Sequence, residues 1–283
     1  MLYYFKVRGY NSVGDGLESV PVSATPQLIV VLDIITNIEY NAAGLKEKIF
    51  YGNGNTTEYT YDDNLRVTRI WTHLPNNESL QDLSYIYDGV GNVLTTTDAV
   101  NTASQNFNYD AQGRLAQAEG AYGFNQPWMV TKGFNYDISG NLLEKDANPY
   151  TYGDGTTAGI HAVTAVGNDL TYNYDANGNL TKETDTGVPT DYVYDFENRL
   201  ERVEKNSTTV ARYEYDDQGM RTKKIVGPNA TIFVGDLYER KGGVSTIHLY
   251  ADGIRLASLK GDELLYFYGN HLGSTNVVAD EVG

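Results

Sequence analysis

The chain has 283 residues, with 24 Tyr and 29 Gly against 7 Pro and 3 Met, no Cys and a formal charge of −16. That acidity disfavours nucleic acid and anionic membrane surfaces as partners, and the missing Cys excludes disulfides and thiolate zinc sites. The longest apolar run, Leu28 to Leu32, is too short for a membrane span, and Tyr- and Thr-rich strands punctuated by Gly, without sustained 3.6-residue periodicity, read as all-β.

Residues 1–26 differ from the rest of the chain. Tyr3 to Arg8 alternates as a strand, Asn11 to Gly16 reads as a loop, and Glu18 to Ala24 reads as a second strand. With the closing Ala24-Thr25-Pro26, this pair resembles the last two strands of a fibronectin type III domain. The earlier strands of such a domain are missing, and a lone hairpin is marginal in water. The reading frame as given is therefore expected to begin inside a domain, with no signal peptide of its own.

Residues 27–232 are organised around a short repeat: aromatic, any residue, Tyr, Asp. The copies are Tyr59-Thr60-Tyr61-Asp62, Tyr85-Ile86-Tyr87-Asp88, Phe107-Asn108-Tyr109-Asp110, Phe134-Asn135-Tyr136-Asp137, Tyr172-Asn173-Tyr174-Asp175, Tyr192-Val193-Tyr194-Asp195 and Tyr213-Glu214-Tyr215-Asp216. Side chains two apart on a strand share a face, so both rings of each copy point one way. The residue between the rings is polar in five of the seven copies, which leaves the opposite face wet. Tyr40-Asn41 opens the series in degenerate form, and the long step from Tyr136 to Tyr174 hides another degenerate unit around Tyr152.

Each Asp starts a turn. Four positions after the second Tyr stand Leu65, Gly91, Gly113, Gly140, Gly178, Asn198 and Gly219. All but Leu65 are Gly or Asn, which accept a positive φ cheaply. Asp at the first place and Gly at the last suit a type I turn, with the carboxylate accepting an N–H two residues on. Arg or Asn follows, then an apolar residue such as Leu115 or Leu180. The unit is strand, tight turn, strand. Leu65 and Met220 break the pattern, so the first and last turns are expected to differ. Leu200 and Val203 can share a face only across a bulge.

Residues 233–283 depart from the plain repeat and end in Tyr268-Gly269-Asn270-His271-Leu272-Gly273-Ser274. The seven copies and this closing stretch resemble the YD-repeat, or RHS, family, which includes bacterial RHS and toxin-complex proteins and the animal teneurins. His271, Leu272, Gly273 and Ser274 match its core signature, although Gly269 and Asn270 replace the customary residues before them. The resemblance implies antiparallel β-hairpins forming a curved sheet, here a partial segment of a YD/RHS β-shell with an open strand edge at each end. It further implies a non-catalytic wall that encloses or delivers a C-terminal, toxin-like polypeptide, in a protein secreted by a bacterium or held on its surface. Its partners are then the rest of the same polypeptide or the enclosed toxin. An extracellular module binding cell-surface carbohydrate or protein is the alternative.

Little in the chain points to catalysis. His271 and Ser274 are three apart and would face opposite ways on a strand. His73, His161 and His248 lack metal-ligand spacing. Asp175-Ala176-Asn177-Gly178-Asn179 lacks the closing Glu of a calcium loop. Family members that cleave themselves carry a protease motif after the core signature, and Gly283 comes before any such residues. No enzyme activity, cofactor or metal is expected. Each buried ring would hide about 150–250 Å², so Tyr174→Ala is expected to cost about 3–5 kcal/mol and a change at Asn173 almost nothing.

Overall fold

The computed structural model describes residues 34–120, 130–155, 158–251 and 253–282, and the backbone of four short strands within residues 1–33. It divides into two compact units, residues 1–33 and 34–283. The expected boundary at residues 26 and 27 lies outside the described residues. In the first unit Tyr3–Phe5 pairs antiparallel with Val22–Ala24, and Arg8–Asn11 with Gly14–Glu18. These are two separate two-stranded sheets where the sequence suggested one hairpin. Residues 14–16, expected in a loop, are strand because Asn11 and Tyr10 pair with Gly14 and Asp15.

The second unit is all β. Among the described residues twenty-four strands run from Ile35–Tyr40 to Thr275–Ala279, each antiparallel to the next, and the ribbon continues past residue 233 to its last described strand. The alternation of rings explains the register. In strands such as Ala103–Tyr109 and Leu170–Tyr174 the aromatic positions are half-buried and the residues between them exposed. Antiparallel partners share a face, so Phe107 lies opposite Ala118, Ala118 opposite Lys132, and Tyr192 opposite Val203. This face is called the ring face, and its reverse the back face. The degenerate unit between Tyr136 and Tyr174 forms as strands Asn148–Tyr152 and Val163–Val166. A bulge between Val193 and Tyr194 brings Leu200 opposite Tyr194 while Val203 faces Tyr192.

The seven Asp turns close alike. The i+3 amide donates to the Asp carbonyl, and the Asp amide donates to the carbonyl at i+4, with distances from 2.9 to 3.3 Å. The two pattern-breakers conform. Leu65 takes φ 63° and its amide bonds Asp62 at 2.9 Å. The Asp216 amide reaches the Met220 carbonyl at 2.9 Å. The expected difference in geometry is absent because the turn is held by Asp and backbone, and the residue at i+3 need only tolerate the left-handed region. That tolerance has an energetic cost at Leu65, which is 55% exposed and gains little from packing. Leu65→Gly is therefore expected to raise stability by about 0.5–1 kcal/mol, read as a higher urea midpoint with an unchanged slope.

The ribbon ends meet. Strand order brings Thr275–Ala279 round to Ile35–Tyr40. Among the described residues, ladders join consecutive strands, and the two ends are joined by overlap. The back face of the last strands lies on the ring face of the first. Leu264, Tyr266, Tyr268, Ala257 and Ala279 form one core with Ile49 and Tyr51, and Ile35, Ile38, Leu249 and Leu259 pack around it. The Tyr51 ring meets Tyr268 edge-on at 5.0 Å. Tyr268 takes hydrogen bonds from Asn53 Nδ2 at 3.1 Å and Asn55 Nδ2 at 2.8 Å. A buried polar row continues beside it: Thr57 to Thr72 at 2.8 Å, Gln81 Nε2 to Thr72 at 2.9 Å, and Asn276 Nδ2 to Gln81 Oε1 at 3.0 Å. Burial pushes the Tyr51 phenol up to about 12, against a small lowering by Thr57. The two faces meet through this apolar core and the polar row beside it.

Candidate functional site

Two features repeat along the ribbon: a rail of Asp turns on one rim, and the rings of the ring face. The rail is built from the Asp carboxylates. Asp110 Oδ1 accepts the amides of Gln112 and Arg114 at 2.9 Å each, and Oδ2 accepts Arg114 Nε at 2.7 Å. Asp62 and Asp195 do the same with Arg66 and Arg199. At Asp88, Asp137 and Asp175 the side-chain donor is Asn92, Asn141 and Asn179. Asp216 holds the Gln218 and Met220 amides. In the Asp175 turn both carboxylate oxygens are thus occupied by the turn itself, as in a simple Asx turn.

The arginines also reach the next turn. Arg66 Nη1 donates to the Asp88 carbonyl at 2.9 Å, Arg114 to Asp137 at 3.1 Å, and Arg199 to Asp216 at 3.1 Å. Each guanidinium lies over the second Tyr of the following copy: Tyr87 at 4.7 Å, Tyr136 at 4.6 Å and Tyr215 at 5.4 Å. These clamps tie repeat to repeat. Gly91, Gly113, Gly140, Gly178, Gly219 and Asn198 sit between clamp and Asp with φ from 61° to 104°.

The tyrosines add a second tie that sequence reasoning missed. The phenol of Tyr61 donates to the Lys46 carbonyl at 2.6 Å, and Tyr87 to Val67 at 2.7 Å. Tyr109, Tyr136, Tyr174 and Tyr215 reach Val93, Leu115, Val163 and Leu200 at 2.7–2.9 Å. Degenerate Tyr152 does likewise to Leu142 at 2.9 Å. The available signal was the constant aromatic-to-Tyr-Asp spacing: Tyr in place of Phe at the second position provides a donor. Tyr194 stands at the same place and is half-buried.

The rings themselves are less buried than expected. Among the described residues from Val93 to Arg255, only Ala118, Gly120 and Ala211 are buried, and every ring there keeps some contact with solvent. That lowers the cost expected at Tyr174: its ring is partly exposed, so not all of its area is removed from water. The deep core is the overlap.

The closing signature is a turn of the same design. Asn270 Oδ1 accepts the Leu272 and Ser274 amides at 2.9 and 3.0 Å, and Gly273 has φ 79°. The His271 ring meets Tyr85 at a tilt of 55° with centroids 4.2 Å apart, and its amide donates to the Tyr85 phenol at 3.4 Å. Burial lowers the His271 pKa. His271 thus packs one end of the ribbon against the other. The remaining histidines are apart: His73 stacks on Trp71, His161 bonds Asn141, and His248 bonds Ser258. Among the described residues no group of three or more His, Cys, Asp or Glu is placed to hold a metal ion. No described helix is long and apolar enough to cross a membrane, which says nothing of β-barrels.

A family model described as the teneurin YD-shell matches residues 27–187. Toxin subunit YenC1 of Yersinia entomophaga is 26% identical over 88% of this chain and 33% of its own length. Toxin subunit YenC2 of the same organism is 34% identical over 39% of this chain and 15% of its own. The crystal structure of TcdB2-TccC3-Cdc42 aligns over 98% of this chain and 16% of that chain, with a TM-score of 0.62 at 18% identity, a likeness of fold. The chain therefore spans about a third or less of the proteins it matches.

Proposed function

Because the chain belongs to the teneurin YD-shell family, we propose that it is a non-catalytic wall segment of a YD/RHS β-shell, whose ring face encloses an extended C-terminal polypeptide of toxin class. The observation that carries this reading is the run of rings from Phe107 to Tyr215, each partly exposed on one face of a continuous sheet. Every phenol tied to a neighbouring carbonyl holds its ring in place, so the face offers fixed aromatic area at little further loss of side-chain entropy. Unfolded chain, rich in exposed apolar groups, is what such a face accommodates. The similarity to toxin subunits supports an enclosed toxin as cargo and a place outside the producing cell. The turn rail serves the wall, and His271 to Ser274 serve the overlap.

The test uses a permanently unfolded, reduced and carboxymethylated model polypeptide, with fluorescence anisotropy as readout. Binding is expected for the unfolded form and not for its native counterpart, and it should weaken when Tyr172 and Tyr192 are both changed to Ser. No binding to either form, or equal binding to both, would count against the reading.

A further inference from the structure

Charge is divided unevenly over the sheet. The chain is −16 overall, yet the ring face of its later strands gathers cations. Lys205 lies opposite Thr190, two residues before Tyr192. Lys224 lies opposite Tyr213, and Thr231 stands between Lys224 and Lys241. Lys260 lies opposite Thr246. Arg221 rests over the Tyr213 ring at 5.6 Å and the Phe233 ring at 5.2 Å, and Arg255 over Phe267 at 4.2 Å. The same registers set two acids among them, Glu239 opposite Phe233 and Glu263 opposite Lys260.

Elsewhere cations are tied to acids: Lys48 to Glu58 at 2.7 Å, Arg69 to Asp82 at 2.6 Å and Lys182 to Asp191 at 3.3 Å. On the back face of these later strands Lys223 reaches Glu214 at 2.9 Å. Among the described residues none of the six ring-face cations has an acid within ion-pair distance. Lys205, Arg221, Lys241 and Lys260 are exposed, and Lys224 and Arg255 are half-buried. The overlap leaves this face open, because there it is the back face of the last strands, with Leu264, Tyr266 and Tyr268, that packs on the first. Like charges held on one face repel one another, and a bound anion relieves that repulsion. A guanidinium resting on a ring keeps its charge and its donors while its position is fixed.

We propose that the ring face of strands Leu200–Lys205, Arg221–Val226, Tyr238–Lys241 and Ile254–Lys260 takes an acidic stretch of the polypeptide that the wall encloses. This rests on the enclosing reading and adds to it the charge of the cargo. Carboxylates of that stretch meet the lysines and arginines, and its apolar residues meet Tyr213, Phe233 and Phe267 between them. Over the rest of an acidic chain the stretch is repelled, so the sector also fixes where it lies. Nucleic acid suits the face less, because its unbroken phosphate charge also meets Glu239, Glu263 and the rim of Asp turns.

Fluorescence anisotropy with the full chain tests it. The probes are labelled, unstructured peptides of Gly, Ser and Tyr, alike except for a central run of Glu, of Ser or of Lys. The Glu peptide is expected to bind at least about tenfold more tightly than the Ser peptide, since several exposed ion pairs act together, and the Lys peptide more weakly than either. High salt should remove the advantage of Glu. Lys241→Glu should reduce it, and Lys224→Glu combined with Lys241→Glu should abolish it. Arg240→Glu makes the same change of charge one residue away, on the back face, and should leave it nearly unaltered. Thermal melting checks that each variant folds, and the salt series on the unaltered chain stands without them. Equal binding of all the peptides overturns this proposal and leaves the enclosing reading standing. No binding of any of them counts against the enclosing reading, and the proposal falls with it. Equal losses from Arg240→Glu and Lys241→Glu overturn the proposal, as does tighter binding of single-stranded DNA of the same length.

Discussion

Tyr268→Ala is expected to cost about 3–5 kcal/mol and to separate the two ends of the ribbon. Tyr268 is 1% exposed, its ring meets Tyr51 edge-on, and its phenol oxygen is the acceptor for Asn53 and Asn55. Truncation removes the ring from a packed two-layer contact and strands the amide of Asn55, itself 1% exposed. Tyr268→Phe isolates the second effect and should cost about 1–3 kcal/mol, the desolvation left when a buried donor loses its acceptor. Tyr174→Ala is the comparison. Its ring is partly exposed and its phenol makes one bond to Val163, so the loss should be smaller, about 1–3 kcal/mol. Urea unfolding measures all three. Hydrogen exchange on strands Lys46–Tyr51 and Glu263–Gly269 should show early opening in Tyr268→Ala alone. Equal costs at Tyr268 and Tyr174 would mean that the wall, and not the overlap, holds the deep core.

Acid should unfold the wall by way of its turn rail. The carboxyls of Asp62, Asp110 and Asp195 are held below the ordinary range first by the backbone amides of Arg66, Arg114 and Arg199, and then by their side chains, against some burial. The Asn179 side chain is the first cause at Asp175. At Asp88 and Asp137 burial is the largest single influence and acts upward, but the combined donors of the turn outweigh it. A carboxyl whose folded pKa is depressed contributes its stability fully above the unfolded value, near 3.9, and loses it as pH falls through the folded value. These turns are open to water, so each contribution is screened, and the effect lies in its repetition. The net charge of −16 acts the other way, because neutralising acid relieves repulsion. The urea midpoint is therefore expected to hold or rise from about pH 7 to about pH 5 and to fall steeply below about pH 4. A midpoint still rising at about pH 3 would sink this account. Asp110→Asn, which keeps an acceptor and loses the titrating group, should shallow the fall.

Sequence reached the turns and faces because both are local. Asp followed by Gly three residues on needs no distant contact to close, and rings two apart share a face whatever the sheet does later. Leu65 and Met220 were misread for a related reason. The pattern weighs each position separately, whereas the turn is over-determined by the Asp carboxylate and two backbone bonds, and so carries an unfavourable residue. The arginine clamps escaped notice since Arg66 meets Asp88, and Arg114 meets Asp137, only once neighbouring hairpins lie side by side.

The chain's own letters therefore determined that this is a β-ribbon, where each hairpin turns, and which side carries the rings. Folding in three dimensions decided which strands of the ribbon meet face to face. Asn55 and Tyr268 are 213 residues apart, and their meeting depends on small rotations between strands accumulated over the ribbon. No residue pattern sums those rotations. The same sum decides which rings are deeply buried, because a ring is sealed from water only where a second layer happens to arrive over it.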